Sequence, residues 1–518
     1  MSTMRIGGLA SGMDTETMVK DLMKAERVRL DKYNQSKQTS LWKQELYNDV
    51  NKDIANFILD TKKELGLTTT SSSGLLLSNS VSNLSWVKKA TSSDETIVSA
   101  TATSSAVTGT HSIEVIKLAK GINDASSSAI GALGDLTGKT VTFETNKGTA
   151  VVTGFSSLSE LATKINDAGI GLKASYDATI DRFFLSTSGM GEATTVQVTN
   201  DSFGLFIGAN QLNMNLDLSI PQKGVDAEIN FDGANGIKYA SNQFTLNGIQ
   251  VELKQEGGGP QTIKIDTDVD GAYNKIKVFV DKYNELIGKL NGKTSEKQYR
   301  DFQPLTNEQK EAMSEDDIKN WEEKAKSGLL RNDDAISKTV QTMRSGLYET
   351  VQGITGTYSQ IATIGITTGE WKDNGKLVID EAKLKEAIIN DVDGVMNLLF
   401  KESTAADPAT KRNESGLMNR LFDDAVSGMK EIIEKSGTGD NADLYRSVKS
   451  NILIDFVTNM GSISYLDKDI LNLEESIYNE EERLISKEEA YWSKFTAMEK
   501  ALQQMSSQSA WLTQQFSS

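Results

Sequence analysis

The sequence predicts an α+β protein of several domains, with helical ends and a strand-rich middle. The chain has 518 residues, which is more than one hydrophobic core usually serves. Apolar residues recur at helical spacing near both ends, whereas β-branched residues, Gly and turn dipeptides dominate residues 86–265. Since 38% of the residues are apolar and 25% are charged, somewhat polar for a globular protein, we expect elongated domains with much surface.

A long amphipathic helix is predicted over residues 15–65, which contain no Pro. Its apolar stripe is sparse between Tyr33 and Leu41, so the helix needs a partner to be stable in water. The recurring apolar positions are Val19, Leu22, Met23, Leu30, Tyr33, Leu41, Leu46, Val50, Ile54 and Phe57.

Turn chemistry predicts short strands and one short helix in the middle of the chain. Asn247-Gly248 is a two-residue connection typical of a type I′ hairpin over residues 244–253, and residues 140–155 form a second hairpin candidate. Ser157 and Glu160 have the spacing of a capping box, which predicts a short helix that ends at Gly169.

Helical patterns return after residue 270 and predict a bundle, because each apolar face needs another to cover it. The faces are Ile276, Val280, Tyr283, Ile287 and Leu290; Ile336, Val340, Met343 and Leu347; Leu384, Ile388, Val395 and Leu399; and Leu444, Val448, Ile452, Phe456 and Met460.

A seven-residue step near the C-terminus predicts a coiled-coil helix. The step meets an apolar residue every time, at Ile463, Ile470, Ile477, Leu484, Tyr491, Met498, Met505 and Leu512. The second seam position passes to Glu480, Lys487 and Lys494, so the seam drifts. An ordinary amphipathic helix on a globular core is the alternative, but the length and the sustained step favour a coiled coil.

Opposite net charges indicate that the two ends pair. Residues 20–63 contain ten basic and seven acidic side chains, whereas residues 463–500 contain five basic and ten acidic ones. We therefore expect electrostatic as well as apolar contacts between the terminal helices.

Composition argues against nucleic-acid binding and against catalysis. A formal charge of -17 argues against binding to the phosphate backbone of a nucleic acid. The chain has no Cys and a single His, His111, which we expect at the surface. No pair of carboxylates is isolated enough to be an acid and base. We expect no catalytic residue, cofactor or metal.

Three motif-like stretches are better explained as turns. Residues 266–271 open like a calcium-binding loop, but Lys277 occupies the twelfth position, which requires Glu. Gly138 and Gly292 each begin a Gly-Lys-Thr sequence without the Gly five residues earlier that a P-loop needs. Residues 257–260 are a Gly-rich loop between strands.

No signal peptide and no membrane span are evident in the sequence. Taken alone, this favours a cytoplasmic protein. A secretion route that reads an uncleaved N-terminus leaves the same trace, so composition does not separate the two.

Residues 4–15, followed by residues 18–23, closely resemble the N-terminal signature of the flagellar hook-associated protein 2 family, the FliD-type filament caps. The signature positions are Gly7, Gly8, Leu9, Gly12, Met13 and Asp14. Residues 498–515 resemble the C-terminal tail of the same family. Further similar stretches are residues 109–119, 158–168, 172–188, 279–284, 302–306 and 321–333.

The resemblance implies terminal helices that form a coiled-coil leg, a helical bundle domain and two inserted β-rich head domains. The implied boundaries are 1–45 and 465–518 for the leg, 46–78 and 266–464 for the bundle, 79–107 and 223–265 for the inner head, and 108–222 for the outer head. The coiled-coil seam, together with Val19, Leu22 and Leu30, is the implied assembly interface.

The resemblance also implies a non-enzymatic, secreted protein at the tip of the flagellar filament. It would be exported by the type III route and form a ring-like homo-oligomer that promotes insertion of flagellin. Implied partners are flagellin, the hook-filament junction protein, an export chaperone and host mucin, with no nucleic acid and no membrane. A surface adhesin and another axial or junction protein are the alternatives.

Overall fold

The computed structural model describes residues 14–71, 76–354, 356–370, 373–437 and 464–516. The chain divides into two compact units. The helical unit comprises Met1–Ser78, Ile276–Ala387 and Gly394–Ser518, and the strand-rich unit comprises Asn79–Lys275 and Ile388–Asp393. The predicted combination of helical ends with a strand-rich middle is confirmed.

The helices of the described residues are α1 (Thr15–Glu64), α2 (Leu158–Asp167), α3 (Val269–Ser295), α4 (Asn307–Glu311), α5 (Glu315–Lys326), α6 (Asp334–Tyr348), α7 (Glu381–Phe400), α8 (Pro408–Glu414), α9 (Leu417–Ser436) and α10 (Tyr465–Phe516). None of them combines the length and apolar character needed to cross a membrane.

The strands of the same residues are β1 (Thr68–Thr70), β2 (Leu76–Ser78), β3 (Lys88–Ser92), β4 (Val98–Ala102), β5 (Gly109–Lys117), β6 (Asn123–Ala125), β7 (Thr140–Thr145), β8 (Gly148–Thr153), β9 (Leu172–Asp177), β10 (Arg182–Thr187), β11 (Thr195–Asp201), β12 (Gln222–Lys223), β13 (Ala227–Phe231), β14 (Ala234–Tyr239), β15 (Gln243–Leu246), β16 (Ile249–Leu253), β17 (Gln261–Thr267), β18 (Ile366–Thr368) and β19 (Leu377–Ile379).

One core of the strand-rich unit lies between a five-stranded and a three-stranded sheet. The strand orders are β14-β13-β5-β17-β3 and β15-β16-β4. Alternate residues of both sheets point into this core, among them Ile113, Ile229 and Ile263. The predicted hairpin is β15–β16, with φ of 52° at Asn247 and 78° at Gly248, as a type I′ turn requires.

A second core of this unit joins a four-stranded sheet, a three-stranded sheet and α2. The strand orders are β12-β11-β7-β8 and β6-β10-β9. The predicted helix α2 begins at Ser157, whose hydroxyl accepts from the Glu160 N–H at 3.2 Å. The Glu160 carboxylate reaches back beyond this cap and accepts from the Ser156 N–H at 2.7 Å.

The pairing of β5 bears on the boundary between the expected head domains. An outer head that starts at residue 108 would contain β5, yet β5 lies between β13 and β17 in the first core. Residues 109–117 therefore pair with strands that we expected in the inner head, and the division of the head residues into two domains stays a proposal.

His111 is not the ordinary surface residue that we expected. Its side chain is 12% exposed and its ring nitrogens lie 2.7 Å from Asp232 Oδ2 and 3.0 Å from the Val107 carbonyl. The ring stacks on Phe231, with centroids 5.6 Å apart. The bond to the Asp232 carboxylate raises the pKa of His111.

Within the helical unit, α1 packs on α9 and α10, and α6 packs on α9. Asp333 joins three of these elements, because it caps α6 and accepts from Tyr47 of α1 and from Lys435 of α9. Burial opposes ionisation of Asp333, but these bonds hold its pKa below the usual value. Burial and the hydrogen bond to Asp333 raise the pKa of Tyr47.

The helical faces predicted after residue 270 occur in α3, α6 and α7. α7 is kinked at Asp391, where φ is -157° and ψ is 78°, a feature that the apolar spacing did not indicate. The face from Leu444 to Met460 lies outside the described residues. Residues 266–271 form a strand-to-helix turn in which Asp268 accepts from the Gly271 N–H at 2.9 Å.

Candidate functional site

The terminal helices α1 and α10 pack side by side and bring the two ends of the chain together. The buried residues between them are Val19, Met23 and Leu484. Leu30, Tyr491, Trp492 and Phe495 pack around these three. Of the α10 residues in this contact, Leu484 and Tyr491 lie on the predicted seven-residue step, whereas Trp492 and Phe495 lie beside it.

A polar network crosses this contact next to the apolar cluster. Arg483 of α10 donates to Glu26 of α1 and to Glu480, each at 2.8 Å. The Tyr491 hydroxyl donates to Glu26 at 3.2 Å, and Arg29 lies 3.8 Å from the second oxygen of Glu480. Arg29 of α1 and Arg483 and Tyr491 of α10 thus share the two carboxylates.

Arg483 favours the ionised form of both carboxylates of the network. Its bonds lower the pKa of Glu26 and the pKa of Glu480, and the two carboxylates raise the pKa of Arg483. Glu480 is 4% exposed and occupies the seam position between Leu473 and Lys487. Because a buried carboxylate without its partner is costly, this network opposes any slip of α10 along α1.

Two further contacts extend the pairing toward the bundle. Lys37 of α1 lies 2.8 Å from Glu474 of α10. The cation is on α1 and the carboxylate on α10, as the net charges predicted. The Gln44 side chain donates to the Ser436 carbonyl at 2.6 Å and to Asp467 at 2.8 Å. Since rising numbers on α1 match falling numbers on α10, the two helices run antiparallel.

The residues predicted for the assembly interface fall into three groups. Val19 and Leu484 are buried, and Leu30, Ile470, Ile477 and Tyr491 are half-buried. Leu22, Met498, Met505 and Leu512 are exposed. Ile463 and the signature residues Gly7, Gly8, Leu9, Gly12 and Met13 lie outside the described residues. Asp14 caps α1 and accepts from the Thr17 N–H at 3.0 Å.

The seam of α10 is covered along only part of its length. Leu484 is 6% exposed, whereas Met498, Met505 and Leu512 are 37%, 64% and 48% exposed. These three methionine and leucine side chains continue the same line toward the end of the helix. The described part of the chain thus carries an apolar line with no cover over its last turns.

Sequence reasoning missed the Glu26–Arg483 contact. The net charges predicted basic side chains on α1 and acidic ones on α10, but this central pair has the opposite sense. The one indication in the sequence was that Glu480 occupies a seam position of α10, because a polar seam residue usually has a specific partner.

The helix pair presents the kind of surface that binds another protein. Within the described ranges, no group of three or more His, Asp or Glu side chains is arranged to hold a metal ion. The helix pair presents apolar seams and exposed charges, which are the features of a protein interface.

Comparison with known proteins assigns the chain to a family. Residues 11–121 match the family model described as the N-terminus of flagellar hook-associated protein 2, and residues 224–507 match the model of its C-terminus. The flagellar hook-associated protein 2 of Halalkalibacterium halodurans is 30% identical, over 99% of this chain and 100% of that protein. The B-type protein of the same name from Pseudomonas aeruginosa is 29% identical, over 60% of this chain and 65% of its own.

A solved structure is similar in fold. The crystal structure of domains D1, D2 and D3 of the flagellar cap protein FliD from Escherichia coli matches 74% of this chain and 96% of its own, with 22% identity and a TM-score of 0.51. The family models reach both terminal helices and the strand-rich unit. The chain therefore belongs to the flagellar hook-associated protein 2 family.

Proposed function

We propose that this protein caps the distal end of the bacterial flagellar filament. Copies of it form a ring-like oligomer under which exported flagellin subunits fold and insert, and the cap prevents their loss. Membership of the hook-associated protein 2 family supports this role, and a similar fold occurs in a protein described as a flagellar cap protein. The role is structural rather than enzymatic.

The observation that carries the proposal is the last part of the α10 seam, which no described residue covers. Met498, Met505 and Leu512 extend the line of Leu484 at seven-residue steps and are exposed. Exposed apolar lines of this kind mark surfaces that pack against another helix. In this proposal residues 1–45 and 465–518 form the leg of the cap, and the uncovered seam is covered on docking to the filament.

The proposed location is outside the cell, at the filament tip. The whole sequence contains no Cys, so no disulfide has to be opened for export of an unfolded chain through a narrow channel. Flagellin and further copies of the chain are the proposed partners. The junction protein, an export chaperone and host mucin are additional partners that the family resemblance implies.

Two alternatives receive less support. The family models match residues near both ends of the chain, which favours a cap over another axial or junction protein. The adhesin alternative concerns the head domains, and no contact or surface described above favours it.

Complementation of the source strain, with its own copy of the gene deleted, tests the proposal. The test variant replaces the uncovered seam as M498S/M505S/L512S. A matched control, T496S/Q503S/A510S, changes three exposed residues at the same spacing on another face of α10.

We expect the seam variant to be exported but to leave cells with few filaments and with flagellin monomers in the medium. The control variant should restore normal filaments. Normal filaments on cells that carry the seam variant would contradict the proposal.

A further inference from the structure

A second apolar line runs along α10 and is not part of its packed seam. Leu471, Tyr478 and Ile485 follow one another at seven-residue steps and are 52%, 63% and 55% exposed. Each lies one residue after a seam residue, so helical geometry turns this line about 100° away from the contact with α1. A line with this spacing is what a second helix packs against.

Acidic side chains border this second line on both flanks. We call the line and its border the acidic side; its exposed carboxylates are Glu475, Glu481, Glu482, Glu488 and Glu489. Lys20 and Lys24 of α1, each one residue after a seam residue, face the same way, so carboxylates outnumber cations on this side. An apolar helix face with this border selects a partner helix whose apolar residues are flanked by Lys and Arg.

Such a surface is present on the same helix pair. We call it the basic side; it consists of Met18, Leu22, Arg29 and Lys32 of α1 with Arg483 and Lys487 of α10. Met18 and Leu22 are 42% and 41% exposed, and the Arg29 side chain is 65% exposed. The basic side therefore combines exposed apolar residues with cations.

The acidic and basic sides face in opposite directions. Met18 and Leu22 each lie one residue before a seam residue of α1, whereas Leu471 and Ile485 each lie one residue after a seam residue of α10. Because the two helices run antiparallel, one residue back along α1 and one residue forward along α10 turn in the same direction when the pair is viewed from one end. Because the two seams face each other, that rotation turns the two lines to opposite sides of the pair.

The charges on the two sides also lie at matching heights. Contacts within the pair put Arg29 level with Glu480 and Lys37 level with Glu474. A rotation about an axis parallel to the helices does not change the height of any residue along that axis. In a neighbouring copy related by such a rotation, each residue would therefore lie at the same height as in the first copy. Its Arg29 and Lys32 would then meet Glu475, Glu481 and Glu482, while its Leu22 would meet Ile485.

We infer that the basic side of one copy docks on the acidic side of the next, so that the leg itself is a subunit interface of the oligomer. The contact joins two different surfaces, and such head-to-tail contacts generate rings when the rotation closes. The inference rests on the proposed function only in assuming an oligomeric cap. The occupant of each side is a second copy of this chain.

Cross-linking of the purified full-length protein tests the inference. The chain has no Cys, so L22C/I485C introduces the only two thiols. Because these positions lie on opposite sides of the pair, a disulfide between them has to join two copies. We expect mild oxidation to give a ladder of covalent oligomers, and L22C alone to give none beyond traces of dimer.

Charge exchange is the second arm of the test, read by native mass spectrometry. K32E and E475K/E482K should each weaken the oligomers, and the two proteins mixed, or the three changes combined in one chain, should regain them. Arg29 is left unchanged because it also lies beside the buried Glu480 of its own copy. The matched control D49K/D60K reverses two exposed carboxylates elsewhere on α1 and should assemble normally.

Three results would overturn the inference: a double-cysteine protein that stays monomeric, efficient dimers of L22C alone, and charge variants that are not restored by exchange. A cross-link to added purified flagellin in place of the ladder would overturn the assignment to a second copy. Because the readout is assembly in solution, failure here is distinct from failure of filament growth in cells.

Discussion

Arg483 donates to Glu26 across the terminal helix pair at 2.8 Å, although 457 positions separate the two residues in the chain. The same guanidinium holds the buried Glu480. One arginine therefore fixes the register of two helices whose apolar contact alone would tolerate sliding. The leg of the proposed cap depends on this point of contact.

Loss of the Arg483 guanidinium should loosen the helix pair. R483A leaves Glu480 buried without its main partner, so amide hydrogens of residues 23–33 should exchange several-fold faster than in the wild-type protein. R483K should retain part of the protection, and K500A removes an exposed cation of the same helix as a control. Equal exchange in R483A and K500A would contradict this role.

Neighbouring residues of α10 should respond differently to truncation. Leu484 is 6% exposed and Ile485 is 55% exposed. L484A should lower the free energy of opening the helix pair by about 2 kcal/mol, and I485A by less than about 0.5 kcal/mol. Hydrogen exchange of α1 at low protein concentration measures both values. A larger loss for I485A would show that the packed face has been assigned wrongly.

Replacement of Gly248 by Ala should destabilise the protein more than the same replacement of Gly257, which has the same backbone φ. A Cβ at Gly248 would lie 2.6 Å from the Ala106 nitrogen, whereas a Cβ at Gly257 meets nothing within 4 Å. Both residues have φ of 78°. Urea unfolding should show a loss of about 2 kcal/mol or more for G248A and about 1 kcal/mol for G257A. Equal losses would contradict the close approach.

The His111–Asp232 pair should make the stability of the strand-rich unit depend on pH. The folded pKa of His111 is raised above its usual value of 6.5, so the pair stabilises fully below pH 6.5 and the effect fades as pH rises through the folded pKa. The melting temperature of wild type minus that of H111Q should be a few degrees larger at about pH 5.5 than at about pH 8.5. D232N should remove most of this difference. A pH-independent difference would contradict the pair.

Local features were predictable from the sequence because neighbouring residues determine them. Asn247-Gly248 specified its hairpin through two positive φ angles, and the Ser157 cap specified the start of α2. The seven-residue step identified Leu484 as a packed residue of α10. These features need only residues within a few turns or strands of each other.

Long-range features were not predictable from spacing or composition. β5 pairs with β13 and β17, which lie more than 100 residues later, and nothing local marks that choice. His111 has an orienting partner because Asp232 follows the paired strand β13. Likewise, net charge gave the overall sense of the terminal pairing but not the reversed contact of Arg483 with Glu26.

Immunogold electron microscopy of intact flagella tests the central claim most directly. An antibody raised against residues 79–275 should label the distal end of each filament, and a strain lacking the protein should show no label. Label along the filament shaft, or at the junction between hook and filament, would contradict a cap.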